Sequence, residues 1–145
     1  MSDPLDFRKD CVFCNRSSLR GEILFENQSC YHVSSMDPIL VDAGMVVPKR
    51  HVASLFALSE REWSDVRTLL LEAKAVLEKR KPSGFNVGWN DGVDAGQSVN
   101  HAHLHIIARF PDEPLRGKGI RHFFKQPSNR RGIRSPSGRR ESASG

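Results

Sequence analysis

The hydrophobic pattern of this chain changes period twice, and that constrains its fold more than any other feature. Glu22-Ile-Leu-Phe-Glu26 and Ser29-Cys-Tyr-His-Val-Ser34 are short β-leaning runs separated by Asn27-Gln28, a turn-type pair, and they read as a hairpin. A third run, 43–47, stops at Pro48. From Ser59 the repeat lengthens: Trp63, Val66, Leu70, Ala73 and Leu77 recur at three- and four-residue steps behind a Ser59/Glu62 capping box. This predicts one amphipathic helix from Glu60 to about Lys79, closed before Pro82. Two more apolar runs follow, 84–89 and 102–108, on either side of the turn-rich stretch 90–96. Strands on both sides of a single long helix, joined partly by tight turns, imply an α+β domain with a mostly antiparallel sheet.

The length, 145 residues, suits one domain with a real core. No apolar run approaches the 18 or so residues of a membrane helix, and MSDPLDFRKD lacks the apolar segment of a signal peptide, so the expectation is a cytoplasmic protein with no membrane partner. Three cysteines, Cys11, Cys14 and Cys30, are an odd number, which disfavours a disulfide framework and leaves metal or redox chemistry. The charge is divided: residues 1–114 hold 13 Lys/Arg against 16 Asp/Glu, while 115–145 hold 9 against 1. The chain therefore divides into a body, 1–114, a basic extension partly docked on it, 115–130, and a disordered tail, 131–145.

Chemistry concentrates in His101-Ala-His103-Leu-His105-Ile-Ile107. Side chains alternate along a strand, so the three imidazoles share one face while Ala102, Leu104 and Ile106 enter a core. An imidazole with its unperturbed pKa near 6.5 is mostly neutral at pH 7 and can serve as nucleophile, proton carrier or metal ligand. Just upstream, Asn90-Asp-Gly92 and Gly96-Gln97-Ser98-Val99 bring backbone N–H groups, a hydroxyl and carboxamides, donors suited to phosphate. Cys11 and Cys14 alone are ambiguous between zinc, redox and inert thiols; with His51 and His101 they make a Cys₂His₂ set, the composition of a closed structural zinc site.

The run from Asn90 through Gln97-Ser98-Val99-Asn-His101-Ala-His103-Leu-His105 resembles the signature of the histidine triad family, and Pro48-Lys-Arg-His51 and Cys11-Val-Phe-Cys14 resemble two further blocks of its zinc-binding bacterial members. That resemblance implies a homodimer of subunits with a five-stranded sheet, one long helix and a short second helix. It also implies a hydrolase or transferase acting at the α-phosphate of nucleoside monophosphate esters, anhydrides or amides, diadenosine tetraphosphate and adenosine phosphoramidate among them. His103 matches the nucleophile, forming a nucleotidyl-histidine that water cleaves. Gln97 and Ser98 would hold phosphate oxygens, His105 would fix a phosphate oxygen or its neighbours, Phe13 with Val12 would wall the base, and Asn90, Val99 and Asp37 would line the nucleotide, Asp37 toward the ribose. Cys11, Cys14, His51 and His101 would hold structural Zn²⁺.

One departure stands out. Many relatives carry a histidine shortly before the Pro-Lys-Arg-His block, assigned to the leaving group, whereas Val41-Asp-Ala43-Gly44 has none, and His32 and His122 are the remaining bystanders. Two other readings use the same residues: a non-catalytic module that binds nucleotide, or nucleic acid through the basic tail, and a cupin-like metallohydrolase in which all three histidines hold a metal. The helix in mid-chain and the lack of an acidic partner in the motif weigh against the last.

Overall fold

The computed structural model describes residues 7–132. Strands β1 (Ile23–Glu26), β2 (Cys30–Ser34) and β3 (Ala43–Pro48) form a meander, followed by helix α1 (Glu60–Glu78) and strands β4 (Gly84–Gly88) and β5 (Leu104–Arg109). The sheet order is β1-β2-β3-β5-β4, with every neighbouring pair antiparallel. Since β5 opposes both β3 and β4, those two run parallel, α1 is the crossover between them, and β5 returns into the gap. The open five-stranded sheet is the α+β arrangement expected, and not a barrel.

Local chemistry explains the element ends. Asn27 Oδ1 accepts the N–H groups of Ser29 (3.2 Å) and Cys30 (3.0 Å), closing the first hairpin, and its Nδ2 donates to the Asp65 carbonyl at 2.9 Å, tying that turn to the helix. The capping box forms as read: Ser59 Oγ accepts from Glu62 N–H at 3.1 Å and the Glu62 carboxylate accepts from Ser59 N–H at 3.0 Å. The buried line of α1 runs Val66, Leu69, Ala73, Leu77. Leu70 packs at its margin, and Trp63 is 36% exposed, its ring edge-on to Trp89. Besides α1 the described residues hold short 3-10 turns, Arg16–Ser18, Leu55–Ala57, Val93–Ala95 and Pro127–Asn129; the one before α1 stops at Ala57 because Leu58 is already extended.

The strand faces divide the core. Cys30, Val46 and Leu104 pack on Val66 and Leu69, and Ile106 and Ala108 on Ala73 and Leu77, so one face of the sheet belongs to the helix. On the other face Tyr31, Val33 and Val47 lie under Phe13, with Val12, Leu19 and Met45 around them. The extension after Pro114 is held at its start by Arg109, whose guanidinium donates to the carbonyls of Leu115 (2.9 Å) and Lys118 (2.8 Å), while Phe123 and Phe124 stay exposed. The expected disordered tail lies, from residue 133 on, outside the described residues. No described helix is long and apolar enough to cross a membrane.

Candidate active site

β5 begins at Leu104, two residues later than its apolar run. Val46 pairs with Leu104, which sets Ala102 opposite Pro48, and proline has no N–H to continue the ladder. Ala102 N–H donates instead to the Val52 carbonyl at 2.7 Å. The released segment carries His101 and His103, buried at 0% and 6% exposure. His101 Nε2 donates to the Pro48 carbonyl at 2.7 Å. His103 Nδ1 donates to the His101 carbonyl at 2.8 Å. A carbonyl only accepts, so each bond fixes a tautomer in the neutral ring: Nδ1 of His101 and Nε2 of His103 keep the lone pair.

The free Nδ1 of His101 faces sulfur. It stands 3.4 Å from Cys11 Sγ and 3.5 Å from Cys14 Sγ, and Cys14 Sγ is 3.3 Å from His51 Nδ1. All four donor atoms lie within 4.8 Å of one another. Bond lengths of about 2.0–2.3 Å to Zn²⁺ give tetrahedral ligand separations of about 3.3–3.8 Å, so the three thiol–imidazole separations and the donor set fit that ion. The Pro48 carbonyl on the far nitrogen is the kind of outer partner that orients a metal-binding imidazole. Burial pushes His101 down to about 4, the neighbouring His51 and His103 adding to the effect, so the ring is neutral as a ligand must be. Burial raises the Cys14 thiol, an effect a metal would reverse. His103 and His105 are outside this cluster, against the three-histidine metal reading.

Beside the cluster lies a cavity of about 550 Å³ on the sheet face away from α1. It gathers Val12, Phe13, Asp37, Val99 and His105, five of the residues expected at the nucleotide. His105 reaches it because it pairs with Met45 on β3, and both point to this face. Phe13 joins the two sites, its ring centroid 5.8 Å from that of His101 and 5.0 Å from that of His103, which is in turn 4.9 Å from His105. Burial, with the His103 neighbour, lowers the His105 pKa, leaving a neutral ring able to donate one N–H. Asp37 Oδ1 accepts from Ile39 and Leu40 N–H at 2.8 Å each, so one carboxylate oxygen closes a turn at the rim.

The loop before the triad is held by Gln97. Its Oε1 accepts Gly92 N–H (2.8 Å) and its Nε2 donates to the carbonyls of Ala53 (2.8 Å) and Val99 (3.0 Å). Gln97 thus braces the loop that the sequence assigns to phosphate. Gly96 takes φ +94°, a conformation that suits glycine, and the Asn90 carboxamide lies against it. Ser98 opens on a second cavity of about 610 Å³ with Arg8, Cys11 and His51, which shares Val12 and Val99 with the first. Asn90 and Gln97 line neither cavity. His32, paired with Val46, lies on the helix face, away from the site. Leu19, Arg20, Ser35 and Met36 also line the first cavity; they come from irregular segments that carry no periodic signal, whereas Met45 was recoverable from its place on β3.

The site thus combines an imidazole pair, an apolar slot and a Cys₂His₂ cluster. The family model described as the HIT domain matches residues 16–112, and the chain belongs to this histidine triad family. The asymmetrical bis(5'-nucleosyl)-tetraphosphatase of Schizosaccharomyces pombe is 42% identical over 99 residues, covering 68% of this chain and 54% of that protein, so the chain spans about half that relative's length. An adenosine 5'-monophosphoramidase of Candida albicans is 32% identical over 108 residues, 68% of this chain and 70% of that protein. The crystal structure of a HIT family protein from Bacillus anthracis superposes with a TM-score of 0.65 at 26% identity, over 72% of this chain and 76% of that one.

Proposed function

We propose that this protein is a nucleotide hydrolase that cleaves at the α-phosphate through a nucleotidyl-histidine. The observation that carries the reading is the 2.8 Å bond from His103 Nδ1 to the His101 carbonyl, which in the neutral ring places the lone pair on Nε2, beside an apolar slot of nucleotide size. In the first step Nε2 attacks the α-phosphorus as the bond to the leaving group breaks, and the leaving group departs with the electron pair. In the second, water attacks the phosphorus, Nε2 leaves, and a nucleoside monophosphate is released. The Ser98 hydroxyl, loop N–H groups and the neutral His105 ring receive the phosphate oxygens, Gln97 holding that loop in shape. Val12, Phe13 and Val99 take the base, and Asp37 at the rim takes the ribose hydroxyls.

Residues 43–45 are Ala, Gly and Met, so that wall holds no side-chain acid. A leaving group that is stable as an anion suits such a site better than an amine, which favours a dinucleoside polyphosphate such as diadenosine tetraphosphate over a phosphoramidate. Cys11, Cys14, His51 and His101 would hold Zn²⁺, whose contribution is structural: it joins the N-terminal loop to the segment that carries the nucleophile. The active unit is a homodimer in this reading, supported by the outer edge of β4, unpaired among the described residues, and by Val87 exposed on it. Sedimentation across a concentration series should show a dimer; a monomer at every concentration would remove it.

The test is to mix the protein with diadenosine tetraphosphate or adenosine phosphoramidate, quench within milliseconds and look for AMP on His103 by peptide mass spectrometry. His103→Asn should abolish turnover and adduct while AMP still binds. Turnover unchanged in His103→Asn would overturn the nucleophile, and AMP binding with no turnover in the native protein would favour the binding-module reading.

A further inference from the structure

We infer that Tyr31 positions the wall against which the nucleotide base rests, acting through a hydrogen bond to the backbone of Phe13; the inference rests on the nucleotide reading above. Among the described residues Tyr31 heads the fully buried side chains by volume; Val33, Val47 and Phe13 pack around it, and the Arg16 guanidinium lies over its ring, 5.6 Å from the centroid. A hydroxyl placed there is costly unless it is bonded. It makes one bond, donating to the Phe13 carbonyl at 2.7 Å.

That carbonyl lies in the middle of the loop Cys11-Val-Phe-Cys14. The loop is anchored at its two ends by thiols that face His101 and His51, and at its centre by the tyrosine hydroxyl. Phe13 has two tasks in this position, lining the cavity and packing edge-on against the His103 ring. Its ring can hold both only while its backbone stays put, and the bond from β2 is what the sheet supplies for that. A phenylalanine at position 31 would fill the same space, so packing alone gives no reason for the hydroxyl.

The expected signature is specific to the base. Replacing Tyr31→Phe should weaken AMP binding about three- to tenfold, the loss of one buried hydrogen bond, and leave ribose 5-phosphate binding within about twofold. For turnover the loss should fall mainly on KM, with any loss in kcat smaller than the loss in AMP affinity. Leu77→Ala, on the helix face, serves as a destabilised comparison that should lower the melting temperature without altering the AMP to ribose 5-phosphate ratio.

Because Tyr31 is the only tyrosine of the chain, biosynthetic 3-fluorotyrosine labels it alone, and its ¹⁹F resonance should shift with AMP and not with ribose 5-phosphate. This second measurement needs no substitution. If the native protein binds ribose 5-phosphate as well as AMP, the nucleotide reading fails and takes this inference with it. If the native protein prefers AMP and Tyr31→Phe prefers it equally, or loses both ligands in proportion, the positioning role is overturned while the nucleotide reading stands. A ¹⁹F resonance indifferent to AMP in a protein that binds it overturns the role likewise.

Discussion

His101 makes three kinds of contact at once. One ring nitrogen bonds the Pro48 carbonyl, the other faces two thiols, and its backbone oxygen holds the tautomer of His103. His32 is an equally buried imidazole with the opposite circumstances: it stacks on Phe25, and its Nδ1 is the one buried side-chain nitrogen or oxygen lacking a partner among the described residues. Gly44 makes room for it, since a Cβ there would come within 2.7 Å of Nε2. Burial lowers the His32 pKa from its ordinary 6.5. The unfolded chain therefore takes up a proton below about pH 6.5 that the folded chain refuses, so stability present above that value falls as the pH drops beneath it. Burial acts in the same direction on His101 and His105. His32→Leu should remove part of this slope and leave the rest, measured as the difference in urea midpoint between about pH 7.5 and pH 5.5. An unchanged slope would assign the whole acid sensitivity to the site histidines.

At the scale of elements, α1 owes its start to the capping box, which touches no residue of the cleft. Ser59→Ala should cost about 1 kcal/mol in denaturant unfolding, with AMP affinity unchanged; a changed affinity would mean that the helix start reaches the site. The same box shows why so much of the fold was legible beforehand. Strands and helix announce themselves by period, and β1–β4 and α1 lie within a residue or two of their apolar runs. The start of β5 was misplaced because the deciding residue, Pro48, is 54 positions upstream of Ala102 and meaningful only through register. Leu69 displaced Leu70 on the buried line because each leucine is apolar and only packing ranks them. The chemistry of the site was legible in kind, since thiols and imidazoles have few uses. The loop hydrogen bonds of Gln97 were not, because a carboxamide serves a loop and a phosphate equally well and sequence does not show its partners.

On the scale of the whole molecule, a sheet with a helix on one face leaves its other face to a short N-terminal segment, and both candidate sites are built there. Exhaustive chelation should lower the melting temperature and weaken AMP binding while the far-UV circular dichroism of sheet and helix persists, because α1 packs on the opposite face. Loss of all secondary structure on chelation would show instead that the metal governs folding of the entire domain. The loop from Cys11 to Cys14 holds two thiols for the one candidate site and a wall for the other, so the metal and nucleotide of the proposed function would draw on a single ordering of one short segment. Thermodynamic reciprocity then requires that whatever factor Zn²⁺ adds to the affinity for AMP, AMP adds to the affinity for Zn²⁺. Chelator competition with and without AMP should yield the same factor as AMP titration with and without metal; under the proposed function, the metal supply of the surroundings would then be a volume control on how strongly the protein hears its nucleotide.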